Sequence, residues 1–136
     1  TDKVANIAIS IDQSGSVSSQ ELQVFYNELE GLAKLANFTV IPFDDQVFED
    51  GITEWKRGES HQWKRYTCGG TNFDAPTQFV NENKDFDAHI IMTDMYAPKP
   101  KSSRVPRLWV ASECNARRPY FQPSAGERIL PITVDS

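Results

Sequence analysis

The sequence contains few of the residues that build disulfide-rich scaffolds or zinc sites. Cys68 and Cys114 are its only cysteines in 136 residues, and their number and spacing exclude a disulfide framework. His61 and His89 are its only histidines, and they are too isolated to predict a zinc site. Two cysteines without a scaffold pattern favour a reducing compartment, so we expect a cytoplasmic protein.

Long apolar runs are also absent. The longest are a few residues, whereas a helix that spans a membrane needs about 20, so no membrane segment is predicted. No basic segment followed by an apolar one opens the chain, as a secretory signal would. Residues 1–4 lead almost directly into a predicted strand, which suggests a trimmed domain or a mature product.

The composition that remains is that of a globular domain. Hydrophobic residues make up 39% of the chain and charged residues 24%, which argues against a disordered protein. The length of 136 residues is common for one domain, so we expect residues 1–136 to form a single domain. The net charge of −5 is uneven, with acidic residues concentrated in 1–98 and basic ones in 99–136. Ordinary surface variation explains this, although an acidic face beside a basic rim could orient a charged partner.

Strand-like and helix-like segments alternate along the chain. The β-branched run from Val4 to Ile11 is typical of a buried strand. Ser18 and Glu21 predict a capping box for the next helix, whose apolar stripe continues to a stop near Asn37. The same reasoning predicts further strands over 38–43, 87–93, 107–111 and 129–134, and a second helix over 73–84.

One hairpin is predicted within this alternation. Asp50-Gly51 suits a two-residue turn between Val47–Glu49 and Ile52–Trp55, which would supply an antiparallel edge strand. The alternating units otherwise predict a doubly wound, mostly parallel α/β sheet of Rossmann-like type with helices on both faces. Ligands of such sheets bind beyond the carboxyl ends of the strands.

Small oxygen-bearing side chains occur at three such places. Residues 12–16, Asp-Gln-Ser-Gly-Ser, follow the first strand, Thr71 precedes the second helix, and Asp94 ends the strand 87–93. If that strand lies beside the first, the carboxylates of Asp12 and Asp94 meet at one edge. Each group alone is explained equally well as a turn or loop cap. Together they predict a Mg2+ site, because Mg2+ prefers oxygen ligands. The candidate ligands are Asp12, Ser14, Ser16, Thr71 and Asp94.

In this order the motifs resemble the metal-ion-dependent adhesion site of von Willebrand factor A (VWA) domains. Segments 69–73 and 108–110 are most similar to a bacterial and phage VWA-like domain that often lies behind a metallopeptidase-like domain. The resemblance covers essentially the whole chain. The sequence departs from it at Met95, where the family usually has Gly, and at Gln13, where Thr is common. We expect the change at Gln13 to matter little.

The resemblance implies a role for each candidate ligand. The three hydroxyls, of Ser14, Ser16 and Thr71, would bind Mg2+ directly, with Mn2+ or Ca2+ as alternatives. Asp12 and Asp94 would hold metal-bound waters or bind the ion themselves, and a partner carboxylate could complete its coordination. The implied function is a non-catalytic module that captures an Asp or Glu side chain of a protein partner. A peptidase-like or ATPase-linked domain in the same chain or complex is the implied setting.

Two other functions remain open. A Mg2+-dependent hydrolase or phosphatase would use Asp12 as its nucleophile, but it generally wants a second acid at position 14 and a Lys soon after Asp94. The Trp55–Tyr66 loop interleaves basic and aromatic residues, as do proteins that bind single-stranded nucleic acid. A solvated loop whose tryptophans pack on the sheet edge is the favoured interpretation. His89, in an apolar strand, is expected to be a core histidine.

Overall fold

A six-stranded sheet forms the centre of the fold in the computed structural model, which describes residues 5–134. Its strands are β1 (Ile7–Asp12), β2 (Phe38–Phe43), β3 (Thr53–Trp55), β4 (Ala88–Met92), β5 (Arg107–Ser112) and β6 (Ile129–Ile132). They lie in the order β3-β2-β1-β4-β5-β6, and only β3 runs antiparallel to its neighbour. The predicted mostly parallel sheet with one antiparallel edge strand is confirmed. Val4, the predicted start of the first strand, lies outside the described residues.

Helices cover both faces of the sheet, as predicted. They are α1 (Ser19–Ala33), α2 (Asp74–Glu82) and the short α3 (Glu113–Arg117). Apolar residues of α1 pack with Ile9 and Ile11 of β1 on one face. Val80 of α2 packs with Ala8 and Ile41 on the other. Because successive side chains of a strand point to opposite faces, one β-branched strand can serve both layers.

The first helix begins where the sequence predicts. The Ser18 hydroxyl accepts a hydrogen bond from the Glu21 backbone N–H at 3.0 Å, and the Glu21 carboxylate accepts one from the Ser18 N–H at 3.4 Å. These two bonds form the capping box. The helix ends at Ala33, four residues before Asn37.

The predicted hairpin across Asp50-Gly51 is wrong. Both residues belong to a 3-10 helix, Glu49–Gly51, and β3 pairs with β2 instead. A Cβ at Gly51 would lie 2.9 Å from Pro42 Cγ and 3.1 Å from a Tyr66 ring carbon. Glycine therefore permits close packing at this position, whereas the hairpin prediction assumed a left-handed turn.

The connection between β4 and β5 contains no helix or strand, as its prolines predict. The sequence analysis missed α3, which has only five residues. Its signal was Ser112, whose hydroxyl caps the helix by accepting from the Asn115 N–H at 3.2 Å. Within residues 5–134, no helix is long and apolar enough to cross a membrane.

Candidate metal centre

The site lies at the carboxyl end of the central strands, where Asp12 is held on both sides. Strands β1 and β4 are paired so that Ile11 lies opposite Met92, which brings the following residues together. The Thr93 hydroxyl donates to Asp12 Oδ2 at 2.5 Å, and the Ser14 backbone N–H donates to Asp12 Oδ1 at 2.9 Å. The carboxylate is fully buried. Thr93 was missed by the sequence analysis, although it directly precedes Asp94.

The two serine hydroxyls of the same loop point to one place. Ser14 Oγ and Ser16 Oγ lie 3.2 Å apart. Ser14 is buried and Ser16 exposed, so the pair connects the buried carboxylate to the surface. Hydroxyl oxygens at such a boundary suit a cation that keeps some of its bound waters.

A second loop lies against this one and carries Thr71. The Gly15 N–H donates to the Gly69 carbonyl at 3.0 Å, and a Cβ at Gly15 would lie 3.0 Å from the Cys68 carbonyl oxygen. Thr71 follows two residues after Gly69 and is half-buried. The structure thus brings the two hydroxyl-bearing loops into direct backbone contact.

Asp94 contributes a buried carboxylate oxygen that has no partner. Only 3% of Asp94 is exposed, and its Oδ1 accepts a hydrogen bond from the Tyr96 N–H at 3.1 Å. No group in the described part of the chain hydrogen-bonds to Oδ2, which is also buried. An unsatisfied buried carboxylate oxygen is costly, and a divalent cation or its bound water would satisfy it. The donor set therefore fits Mg2+.

The electrostatics at Asp12 also favour a bound cation. Burial raises the pKa of Asp12 from 3.8 to about 6, against the opposing effect of hydrogen bonds from Ser14 and Thr93. The nearby negative charge of Asp94 raises the same pKa further. Two buried carboxylates in mutual range are unfavourable alone, and a divalent cation held at this site would reverse the balance.

The loop after Asp94 is left-handed at Met95, the position where the resemblance to VWA domains implies glycine. Met95 has a φ of 67° and is the one non-glycine residue with positive φ in the described ranges. This left-handed region favours glycine and costs other residues about 1–2 kcal/mol. The Met95 side chain is buried with Phe73 and Trp109, and this burial offsets the strain.

Asp44, at the end of β2, supports the second loop. Its Oδ2 accepts hydrogen bonds from the Thr67 hydroxyl and the Gly69 N–H, and its carbonyl accepts from the Asn72 N–H. Burial alone would raise the pKa of Asp44, but the hydrogen bonds to its carboxylate outweigh that effect, and the pKa is lowered. Asp44 therefore anchors the segment that contains Thr71. Its place at the end of the strand next to β1 was a signal that the sequence analysis missed.

Gln13 has a larger structural role than the sequence analysis expected. It is fully buried, and both ends of its amide bond the neighbouring loop. Its Oε1 accepts from the Tyr66 N–H at 2.6 Å, and its Nε2 donates to the Lys64 carbonyl at 2.8 Å. The expectation that this position matters little is not supported.

The tryptophans of the Trp55–Tyr66 loop pack at the sheet edge. Trp55 is 1% exposed and stacks on Phe38 with ring centroids 5.4 Å apart. Trp63 packs against the same core cluster and donates its indole N–H to Gln23. Trp55 is thus unavailable for stacking with bases, in line with the favoured interpretation of this loop.

His89 is a core histidine, as expected. It is 1% exposed, and its Nε2 lies 2.7 Å from the Ser10 hydroxyl. Across residues 5–134 no group of three or more His, Cys, Asp or Glu side chains forms a metal centre. The candidate site has two carboxylates and otherwise relies on hydroxyls.

The strand order, with its one antiparallel edge strand, and the loop at the end of β1 agree with the resemblance to VWA domains. The chain belongs to the family described as VWA-like domain (DUF2201), whose model matches residues 7–129. No curated protein matches the sequence.

Two solved structures share the fold. An aerotolerance-related membrane protein from Bacteroides fragilis NCTC 9343, with multiple mutations to serines, superposes with a TM-score of 0.60 at 13% identity. That match covers 79% of this chain and 67% of that one. The ArnB paralog VWA2 from Sulfolobus acidocaldarius has a TM-score of 0.59 and 15% identity. That match covers 79% of this chain but only 34% of VWA2, so the chain spans about a third of that protein.

Proposed function

We propose that this chain is a protein-binding module that captures an acidic side chain of a partner through a bound divalent cation. Mg2+ is the expected ion, with Mn2+ and Ca2+ as alternatives. The observation that carries the proposal is the buried, unpartnered Oδ2 of Asp94, which shares one sheet edge with Asp12. In this proposal Ser14, Ser16 and Thr71 supply hydroxyl ligands, and the two carboxylates hold metal-bound waters or bind directly.

The charge at the site favours an anionic partner. A divalent cation would balance the two carboxylates of Asp12 and Asp94. The guanidinium of Arg65 lies against the Ser14 carbonyl, and it forms no ion pair with a carboxylate of the described residues. Arg65 adds positive charge beside that ion, and an Asp or Glu side chain of a partner would complete the coordination of the ion.

The same edge is open to a macromolecule. Ser16, Gly15 and Gly69 are exposed at the mouth of the site. Tyr96, two residues after Asp94, is 65% exposed and offers an aromatic contact of the kind enriched at protein interfaces. A partner can therefore reach the ion without a change of fold.

We propose no catalysis by this chain. Both oxygens of Asp12 already accept hydrogen bonds, and the residue is fully buried. That geometry does not favour attack on a substrate. Hydrolysis of a generic phosphate ester that is lost in Asp12→Asn would instead support the hydrolase alternative.

A larger assembly is the proposed setting. VWA2 is about three times longer than the part that matches this chain. A peptidase-like or ATPase-linked domain, in the same chain or the same complex, would present or use the captured partner. Cys68 and Cys114 are exposed free thiols, which suits a reducing, cytoplasmic environment.

Metal binding is tested by thermal melts in Mg2+, Mn2+, Ca2+ and chelator. The variants are Ser14→Ala/Ser16→Ala and the matched control Ser102→Ala/Ser124→Ala, whose serines precede β5 and β6 at the opposite edge. A ligand at about 100 times its Kd adds about 2.7 kcal/mol, which is about 10 °C in Tm for this size. Wild type and control should shift, and the site variant should not. The absence of any shift at millimolar metal would contradict the proposal.

Partner chemistry is tested by selecting displayed peptides in Mg2+ and releasing them with chelator. The released peptides should share an Asp or Glu whose replacement by Asn or Gln abolishes binding. Selection of peptides that bind equally well in chelator would argue against capture through the ion.

A further inference from the structure

The Arg65 side chain hydrogen-bonds to the backbone of the loop that carries Ser14 and Ser16. Its Nη1 donates to the Gln13 carbonyl at 3.0 Å and lies 3.4 Å from the Ser14 carbonyl, and its Nη2 donates to the Val17 carbonyl at 2.6 Å. The planar guanidinium presents its donors in a rigid fork. These contacts therefore fix the carbonyls on either side of Ser16 relative to one another.

Gln13, in the serine loop, bonds in turn to the backbone of the loop that carries Arg65. Its side chain bonds the backbone of Lys64 and Tyr66, the residues on each side of Arg65. Each loop therefore sends one side chain into the backbone of the other. The contact between Gly15 and Gly69 adds a third tie.

The loop that bears Arg65 requires such anchoring. No helix or strand lies between Trp55 and Asp74, and loops of that length without regular structure are uncommon in compact domains. Thr71 lies at the far end of this loop. Its position relative to Ser14 and Ser16 therefore depends on the ties that join the loops.

We propose that Arg65 is a positioning residue of the metal site, which holds the serine loop against the Thr71 loop so that their hydroxyls meet one ion. This inference rests on the proposed function, because it assumes that the site binds a divalent cation. Mg2+ demands near-ideal octahedral geometry at about 2.0–2.1 Å, so a small relative shift of the two loops weakens binding.

A positioning role and a purely electrostatic role of Arg65 predict opposite effects on Mg2+ affinity. Its positive charge beside a cation is repulsive, so a purely electrostatic role means that removing the charge tightens Mg2+ binding. A positioning role means that removing the fork weakens binding, even when the charge is kept. Arg65→Lys keeps the charge without the fork, and Arg65→Met keeps most of the stem without either.

The test measures the Mg2+ Kd by calorimetry and the Tm in chelator for both variants. The matched control is Arg57→Met, which removes the same charge from an exposed residue of the same loop whose guanidinium forms no hydrogen bond or ion pair with the described residues. Loss of groups that orient metal ligands typically costs 10–100-fold in affinity. We expect a loss of about that size in both Arg65 variants and none in Arg57→Met.

Each outcome decides a separate point. If wild type binds Mg2+ and the Arg65 variants bind as tightly or more tightly, the positioning role is overturned while the proposed function stands. If wild type itself does not bind, the proposed function fails first. A merely structural role would lower the Tm in chelator and leave the Kd, measured well below the Tm, unchanged. Should Arg65→Met be unfolded at the assay temperature, Arg65→Lys decides the question.

Discussion

At position 95, a glycine variant should be more stable than an alanine variant, which is the reverse of the usual order. Met95 has a φ of 67°, a conformation that glycine adopts freely and that costs an L-residue about 1–2 kcal/mol. Met95→Ala loses the buried side chain and keeps this strain. Met95→Gly loses the same side chain but relieves the strain, so it should be the more stable of the two variants.

The structure gives the size of the effect. Truncating a buried Met to Ala costs about 2–5 kcal/mol, and Met95 is only 1% exposed. Met95→Ala should therefore lower the free energy of unfolding by that amount. Met95→Gly should be less destabilising than Met95→Ala by about 0.5–1 kcal/mol, because the strain relieved, about 1–2 kcal/mol, exceeds the roughly 0.5–1 kcal/mol that glycine costs through the freedom of the unfolded chain.

Met92 is the matched control, since it is buried in β4 and has no positive φ. There glycine should be less stable than alanine by about 0.5–1 kcal/mol. Urea unfolding of the four variants in chelator measures the differences, provided that their m-values agree. The same order at both positions, with alanine the more stable, would refute the reasoning about the loop after Asp94.

Three further predictions concern buried polar groups. Burial lowers the pKa of His89 from 6.5 to about 3, and the positive charge of Arg107 adds a smaller effect. The contribution of neutral His89 to the stability of the protein is therefore fully present above pH 6.5 and is lost as the pH falls toward 3. The difference in unfolding free energy between wild type and His89→Gln should therefore shrink by about 1.4 kcal/mol per pH unit between pH 6 and 4, and a constant difference would disprove this. Arg107 Nη2 lies 3.0 Å from Glu127 Oε2 in a buried ion pair, so Glu127→Gln should lower the free energy of unfolding, measured in urea, by about 3–5 kcal/mol. Glu59 forms an exposed pair with a histidine, so Glu59→Gln should cost much less. Equal losses in the two variants would contradict the reasoning from burial. Asp44→Asn removes the carboxylate that anchors the Thr71 loop and should weaken Mg2+ binding in calorimetry by about 10-fold, and unchanged affinity would show that the anchor is dispensable.

Much of the fold is predictable because the elements carry local signals. The β-branched run ending at Ile11 and the capping box at Ser18 specify a strand and a helix from neighbouring residues alone. The parallel order then places Asp12 beside the end of β4, so the proximity of the Asp12 and Asp94 carboxylates is predictable from the sequence. The turn at Asp50-Gly51 was wrong because its conformation depends on packing against Pro42 and Tyr66, which are distant in sequence.

The supports of the candidate site were not predictable in the same way. Arg65 and Gln13 interact across about 50 positions of sequence, and the intervening loop has no periodicity that would fix its path. Their role depends on which loops meet above the sheet, and that is decided by tertiary packing. Thr93 and Asp44 differ, because both stand at strand ends beside β1, where a search for polar residues would have found them.

The most direct test of the metal site is a crystal structure with Mn2+, which anomalous scattering locates without ambiguity. The account predicts one strong anomalous peak bonded to the hydroxyls of Ser14, Ser16 and Thr71, with Asp12 and Asp94 bound directly or through waters. An empty site at millimolar Mn2+, or a peak held instead by the acidic surface around Asp45 and Glu49, would contradict it.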